Sequence, residues 1–188
     1  MAEERRVRAD ARRNVESLLA AAREVFATAG VDAPVREIAA KAGVGVGTVY
    51  RHFPLRSDLV TAVFTHEVDA CADEAPRLAA ELPPVDALLA WLLRFTRFIA
   101  TKRGLAAALH SGDPAFEPLP AYFRARYLPA LESLLDAAAG EIRRDVDAHD
   151  LLTAVANLSI PAEGDPEHTD RMVALLVDGL RFGAPAPS

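Results

Sequence analysis

The stretch Val35-Arg36-Glu37-Ile38-Ala39-Ala40-Lys41-Ala42-Gly43-Val44-Gly45-Val46-Gly47-Thr48-Val49-Tyr50-Arg51-His52-Phe53 decides the fold. Two short helices cross steeply only where a small residue lets their backbones approach, a glycine supplies the turn and apolar side chains lock the crossing. Ala39 is the small residue, Gly43 the turn, and Ile38, Val44 and Val49 the anchors. At about 100° per residue, Val49 and Phe53 fall on the inner side of the second helix with Val46 beside them. Arg51 points the opposite way, flanked by Gly47 and Thr48, and Tyr50 and His52 occupy the two edges. A helix entering the major groove of DNA needs such a polar, hydrogen-bonding outer face, and Gly47 allows its first turn to come close to base edges or phosphate. The helix N-terminus itself favours a phosphate.

Working outward, apolar residues at helical spacing (Val15, Leu18, Leu19, Ala22, Val25, Phe26) predict a first helix over 9–28, stopped by Gly30. A second spans 35–42, with Pro34 ahead of it and Gly43 behind, and a third spans 46–53, stopped by Pro54. A fourth is expected from about Ser57 to Ala75, ahead of Pro76. Beyond the joint Leu82-Pro83-Pro84, helical segments are expected over 85–101, 105–110, 118–140, 147–159 and 166–182. No segment alternates at period two, and breakers fall at Ser111-Gly112-Asp113-Pro114 and at 161–166. The expectation is an all-α chain divided into a flexible basic arm (1–8), a helix-turn-helix domain (9–56), a connecting helix (57–76), a larger ligand-binding and dimerisation domain (77–182) and a disordered tail (183–188).

Composition narrows the function. Of the 188 residues 51% are apolar, yet no run of about 18 apolar residues free of charge occurs, so a membrane span is not expected. The arginines at 5, 6, 8, 12 and 13 are not followed by an apolar stretch, which argues against a secretory signal and for the cytoplasm. Cys71 is the only cysteine, which excludes an intramolecular disulfide and a CxxC site. Net charge is −6 but unevenly spread: residues 1–60 hold ten Lys/Arg against eight Asp/Glu, the remainder eleven against nineteen. A basic head on an acidic body suits DNA contact at one end, since phosphate attracts the first and repels the second.

The groups Arg36-Glu37-Ile38-Ala39, Ala42-Gly43-Val44 and Thr48-Val49-Tyr50-Arg51-His52-Phe53-Pro54, followed by Leu59, resemble the DNA-binding domain of the TetR/AcrR family of bacterial repressors. The match covers roughly residues 9–65. The resemblance implies an all-helical homodimer that binds a palindromic double-stranded operator and is released when a small-molecule effector occupies the C-terminal domain. It implies DNA contacts from Arg36, Thr48, Tyr50 and His52, a phosphate contact from Arg56, and variable base reading by Arg51, with Val46 and Gly47 alongside. Two positions depart from the family pattern. Gly45 replaces the Ser or Thr that caps the recognition helix, at a few tenths of a kcal/mol. Leu55 replaces a capping residue ahead of the fourth helix, at about 1 kcal/mol unless Ser57 takes over.

Site expectations in the rest of the chain rest on pattern alone. Trp91, Phe95 and Phe98 share one helical stretch, and Phe116, Tyr122, Phe123 and Tyr127 cluster around the next. With His110 and Asn157 as polar groups they suit an apolar effector pocket, and equally a plain hydrophobic core. Apolar stripes at Leu151, Leu152, Val155 and Leu158, and at Met172, Leu175, Leu176, Gly179 and Leu180, suit a two-fold dimer interface, with intramolecular packing as the alternative. The N-terminal arginines suit either a DNA-reaching arm or a solvated tail. No enzyme or cofactor is indicated: there is no phosphate-binding glycine loop, no GxSxG elbow and no HExxH. His52, His66, His110, His149 and His168 are scattered, and His66 and Cys71 lie five apart, off a common helix face, so no metal site is expected. Glu141, Asp145 and Asp147 read as a solvated face. A helical interaction module with an idle DNA reader is the competing reading; it would be free to lose Thr48, Tyr50, His52 and Arg56, and all four are present.

Overall fold

The computed structural model describes residues 2–159, 165 and 167–182, with backbone alone at 2–13, 101–104 and 106–107. Among the described residues the chain forms α1 (Ala2–Ala29), α2 (Val35–Ala42), α3 (Val46–His52), α4 (Arg56–Ala72), α5 (Glu74–Glu81), α6 (Pro84–Leu109), a 3₁₀ turn (Pro114–Phe116), α7 (Leu119–Ala138), α8 (Ala148–Leu158) and α9 (His168–Arg181), and no strand. The fold is all-α, as the absence of period-two patterning required.

Three departures from the sequence expectation exceed a residue or two at a helix end. The first helix begins at Ala2 rather than Ala9, so the segment expected as a flexible arm is helical from its second residue; its arginine side chains lie outside the described residues. The expected fourth helix is divided: α4 stops at Ala72, and α5 starts at Glu74 and carries Pro76 in its first turn. Proline is tolerated there because a first-turn N–H has no intrahelical acceptor, so Pro76 marks a beginning and not an end. The segments expected at 85–101 and 105–110 are one helix, α6. Helix α7 runs through Pro129, which like Ala125 one turn earlier is exposed. The expected tail at 183–188 lies outside the described residues.

The chain folds into two compact units that are not contiguous in sequence. The first comprises Met1–His66 with Thr101–Pro120, the second Glu67–Ala100 with Ala121–Ser188. The expected division into 9–56, 57–76 and 77–182 therefore differs from the packing: the start of α4 joins the helix-turn-helix, as does the end of α6. Local stiffness explains this. A continuous helix carries side chains to whichever core lies beside each turn, and a loop-to-loop division of the sequence does not see that.

In the first unit Leu18, Ala22 and Phe26 of α1, Ile38 and Ala39 of α2, Val49 of α3 and Leu59, Val60 and Val63 of α4 are buried. Helix α2 ends in a Schellman motif: Val44 N–H donates to Ala39 O at 3.0 Å and Gly43 N–H to Ala40 O at 3.2 Å, with Gly43 at φ +68. Ahead of α4 the Leu55 N–H donates to Asp58 Oδ2 at 2.9 Å. The carboxylate at the third helical position thus supplies half a capping box, and Asp58 rather than Ser57 compensates for the apolar Leu55.

The second unit is organised around Trp91, fully buried, whose Nε1–H donates to Cys71 O at 2.9 Å. Asp69 of α4 accepts from Tyr122 OH at 2.7 Å and from Arg126 Nε at 2.7 Å, tying α4 to α7. Arg143 N–H donates to Leu180 O at 2.9 Å, which joins the segment before α8 to the end of α9. Asp147 caps α8, its Oδ1 accepting from Asp150 N–H at 2.9 Å.

Nothing lies within 4 Å of where a Cβ at Gly43 would stand, so Gly43→Ala meets no clash and costs only its left-handed backbone, about 1 kcal/mol. A thermal melt should show a Tm about 2–4 °C lower. Burial pushes the Cys71 thiol up to about 11 from an ordinary value of 9.0. The native thiol should therefore resist alkylation at pH 8 and react only on unfolding. Because the folded state holds this proton longer than the unfolded one, that thiol's contribution to stability is expected to fall between pH 9 and 11.

Candidate nucleic-acid interface

Helix α3 is two turns long and turns one side chain, Val49, into the core. Its start is set by Gly45, extended at φ −73 and ψ 146, whose carbonyl accepts from Thr48 N–H at 2.9 Å; no side chain caps it. Its end is set by Phe53, whose N–H donates to Val49 O at 2.8 Å. With Val49 facing inward, the helical period turns the expected reading face to solvent. Gly47, Arg51 and His52 are exposed, Tyr50 is 53% and Val46 40% exposed, and Thr48 is half-buried. Arg36, on the adjoining α2, is exposed as well. Among the described residues neither Arg36 nor Arg51 has an ion-pair partner. In the second unit Arg77, Arg126, Arg143 and Arg171 each lie against carboxylates of their own chain, whereas exposed Arg124 and Arg144 do not among the described residues. On α2 the neighbouring Lys41 is held by Glu24 of α1 at 2.7 Å, and that contact draws the Glu24 carboxyl below its ordinary value.

Arg56, expected to reach phosphate, is half-buried and turned inward. Its Nη2 donates to the carbonyls of Val31 and Ala33, and its guanidinium carbon stands 5.3 Å from the centre of the Phe26 ring. Between α3 and α4 a cleft of about 240 Å³ is lined by Tyr50, Phe53, Leu55 and Leu59 among others.

The expected effector-site residues divide. Trp91, Phe95, Phe98 and Tyr127 are at most 1% exposed and pack on one another and on half-buried Phe123. Ring centroids lie 5.5 Å apart for Trp91 and Tyr127, 5.8 Å for Phe98 and Phe123, and 4.5 Å for Phe123 and Tyr127. Edge-on and offset stacking at these separations packs the four buried rings into the core, with Phe123 at its edge. Phe116 and His110 belong to the first unit. Phe116 is buried against a cleft of about 260 Å³ with Val60 and Ala108, and His110 is exposed. Asn157 is exposed on α8. A crevice of about 530 Å³ that pattern reasoning missed runs along the end of α7 and the start of α8, between Glu132, Asp136, Arg144 and Asp147. Charged residues on its rim gave the sequence no apolar signal to find it by.

Of the expected dimer stripes, Leu151, Leu152 and Val155 are at most 4% exposed within their own unit, and Leu158 is half-buried. These three therefore serve the unit's own core, the intramolecular alternative. Helix α9 buries Val173 and Val177 instead of its expected stripe. Leu175 is 65% exposed and Phe182 81%, Gly179 is exposed, and Met172, Leu176 and Leu180 are half-buried. No described helix is long and apolar enough to cross a membrane, and no described cluster of His, Cys, Asp or Glu suits a metal ion.

Comparison with known proteins agrees with this geometry. Residues 18–63 match the model of the bacterial regulatory proteins of the tetR family, and residues 83–182 that of the SbtR-like transcriptional regulator C-terminal domain. A TetR transcriptional regulator from Streptomyces coelicolor is 38% identical, with 92% of this chain and 99% of that one covered and a TM-score of 0.77. A TetR regulatory protein from Mycobacterium vanbaalenii is 37% identical over 94% of this chain and 99% of its own, with a TM-score of 0.76. The regulator FadR from Bacillus subtilis, solved with stearoyl-CoA, shares the fold at 18% identity, covering 90% of this chain and 98% of that one, with a TM-score of 0.66. No curated protein sequence matches. With an exposed reading helix locked by Val49 and matching regulators over nearly its whole length, the chain belongs to the TetR family of DNA-binding bacterial transcriptional regulators.

Proposed function

We propose that the protein is a repressor that binds a palindromic operator as a homodimer, leaves it when a small-molecule effector binds, and acts by binding alone without catalysis. The observation that carries this reading is the pair of exposed guanidiniums without an ion-pair partner among the described residues, Arg51 on α3 with Gly47, Thr48, Tyr50 and His52, and Arg36 on the adjoining α2. A guanidinium without an internal carboxylate keeps its charge and fork for phosphate or guanine. Arg51, at the centre of the face, reads bases; Arg36, on the edge, holds phosphate; Val46 and Gly47 admit the helix end to the groove. Helix α9 offers the self-complementary surface, since Leu175 and Phe182, the two most exposed large apolar side chains among the described residues, share a face with Gly179. The effector remains a small molecule of unassigned class; the stearoyl-CoA of the Bacillus subtilis FadR supports ligand binding by this fold, not that ligand here.

Selection from random duplex DNA at two salt concentrations tests the reading. Enrichment of a palindrome with salt-sensitive affinity is the expected result; no enrichment, or retention insensitive to salt, would reject it in favour of an idle reader. With the enriched duplex in hand, Arg51→Ala should cost about 1–3 kcal/mol and relax preference at one position of each half-site. Equal losses on every sequence would remove Arg51 from the base-reading role. Leu175→Glu should shift sedimentation from dimer to monomer while the circular dichroism spectrum stays helical, and an unchanged dimer would place the interface elsewhere.

A further inference from the structure

Helix α3 has a mechanical problem. Seven residues are too few to hold a helix by themselves, and its one buried side chain, Val49, fixes its distance from the core but not its tilt. Its N-terminal end is constrained by the Schellman turn at Gly43 and Val44. Its C-terminal end runs through Phe53, Pro54 and the 64%-exposed Leu55 before reaching Arg56, the first residue of α4. At Arg56 the chain is seized. One guanidinium nitrogen donates to two carbonyls, those of Val31 and Ala33, both in the turn between α1 and α2, and the flat of the group covers Phe26 of α1, itself 1% exposed. The turn it grips leads through Pro34 directly into α2.

From this we infer that Arg56 is the positioning residue of the DNA-reading head: it pins the exit of α3 to the entrance of α2, fixing the tilt of the recognition helix, and it does not itself neutralise a phosphate. The inference rests on the DNA-binding reading above. Two charge-assisted hydrogen bonds and an aromatic face would have to be given up before this group could turn to the DNA backbone, whereas Arg36 and Arg51 face no such loss. The planar group is also specific to the task. A lysine carries the same charge to a phosphate and has donors enough for two carbonyls, but it is shorter and presents no flat face to Phe26.

The test measures R56K and R56Q against wild type on two duplexes, the one enriched by wild type and a random-sequence one, over a series of salt concentrations. Both variants are expected to lose affinity for the enriched duplex by about tenfold, the size of one misplaced base contact. Affinity for the random duplex and the slope of log affinity on log salt should stay at wild-type values. The ratio between the two duplexes therefore falls. A loss on both duplexes with a slope smaller by about one in R56Q, restored in R56K, would identify a phosphate contact and overturn the inference. Equal losses on both duplexes at unchanged slope, the mark of a reduced folded fraction, would overturn it too, as would wild-type discrimination in both variants. If R56Q proves unfolded by circular dichroism, R56K decides alone: a fallen ratio supports the inference and a retained one ends it. Failure of wild type to enrich any duplex would instead strike the DNA-binding reading.

Discussion

The orientation of a two-turn helix is the constraint on which this protein depends. Isolated helices of this length are not stable in water, so α3 takes both its existence and its direction from neighbours. Val49 supplies the inward pull, the Gly43 turn sets the entrance, and the Arg56 grip on the α1–α2 turn sets the exit. The remaining side chains of α3 are thereby released from structural duty. Tyr50, Arg51 and His52 can all face solvent because no packing is asked of them.

The same economy shapes the placement of charge. In the second unit several arginines are answered locally, Arg126 by Asp69, Arg143 by Asp145 and Arg171 by Asp165, while exposed Arg124 and Arg144 have no ion-pair partner among the described residues. The Asp145 carboxyl, held by Arg143, sits at about 2. In the first unit Lys41 is answered by Glu24, while Arg36 and Arg51 have no ion-pair partner among the described residues and Arg56 is turned to backbone carbonyls. Exposed pairs of this sort add little stability. What they do is offset positive charge on a part of the chain whose acidic residues already outnumber its basic ones.

The aromatic residues of the second unit illustrate how one composition serves two purposes. Trp91, Phe95, Phe98, Phe123 and Tyr127 have the makings of a ligand cage, yet they close on one another at 4.5–6.3 Å and Trp91 spends its N–H on Cys71 O. A ring satisfied by other rings is core. The desolvation that makes it so also raises the ionisation of Tyr127 and Cys71 far from neutrality.

Much of this was legible in the sequence because local rules carry it. The helix-turn-helix is written in Ala39, Gly43, Val44 and Val49, whose spacing admits one crossing, and α2 occupies the predicted residues. The outward face of α3 follows from helical period once Val49 is known to point in. Other features depend on what lies across space. Pro76 begins a helix because Asp73 already ended the previous one, and Asp58 caps α4 in place of Ser57. Leu151, Leu152 and Val155 read as an interface stripe and turned out to be core, because an apolar stripe records that a face is covered, not by what. Arg56 sums up the division. Its position at the head of α4 was read from the chain, but whether its guanidinium points to solvent or to the carbonyls of Val31 and Ala33 was decided by residues some 25 positions away, which only the tertiary structure brings within reach.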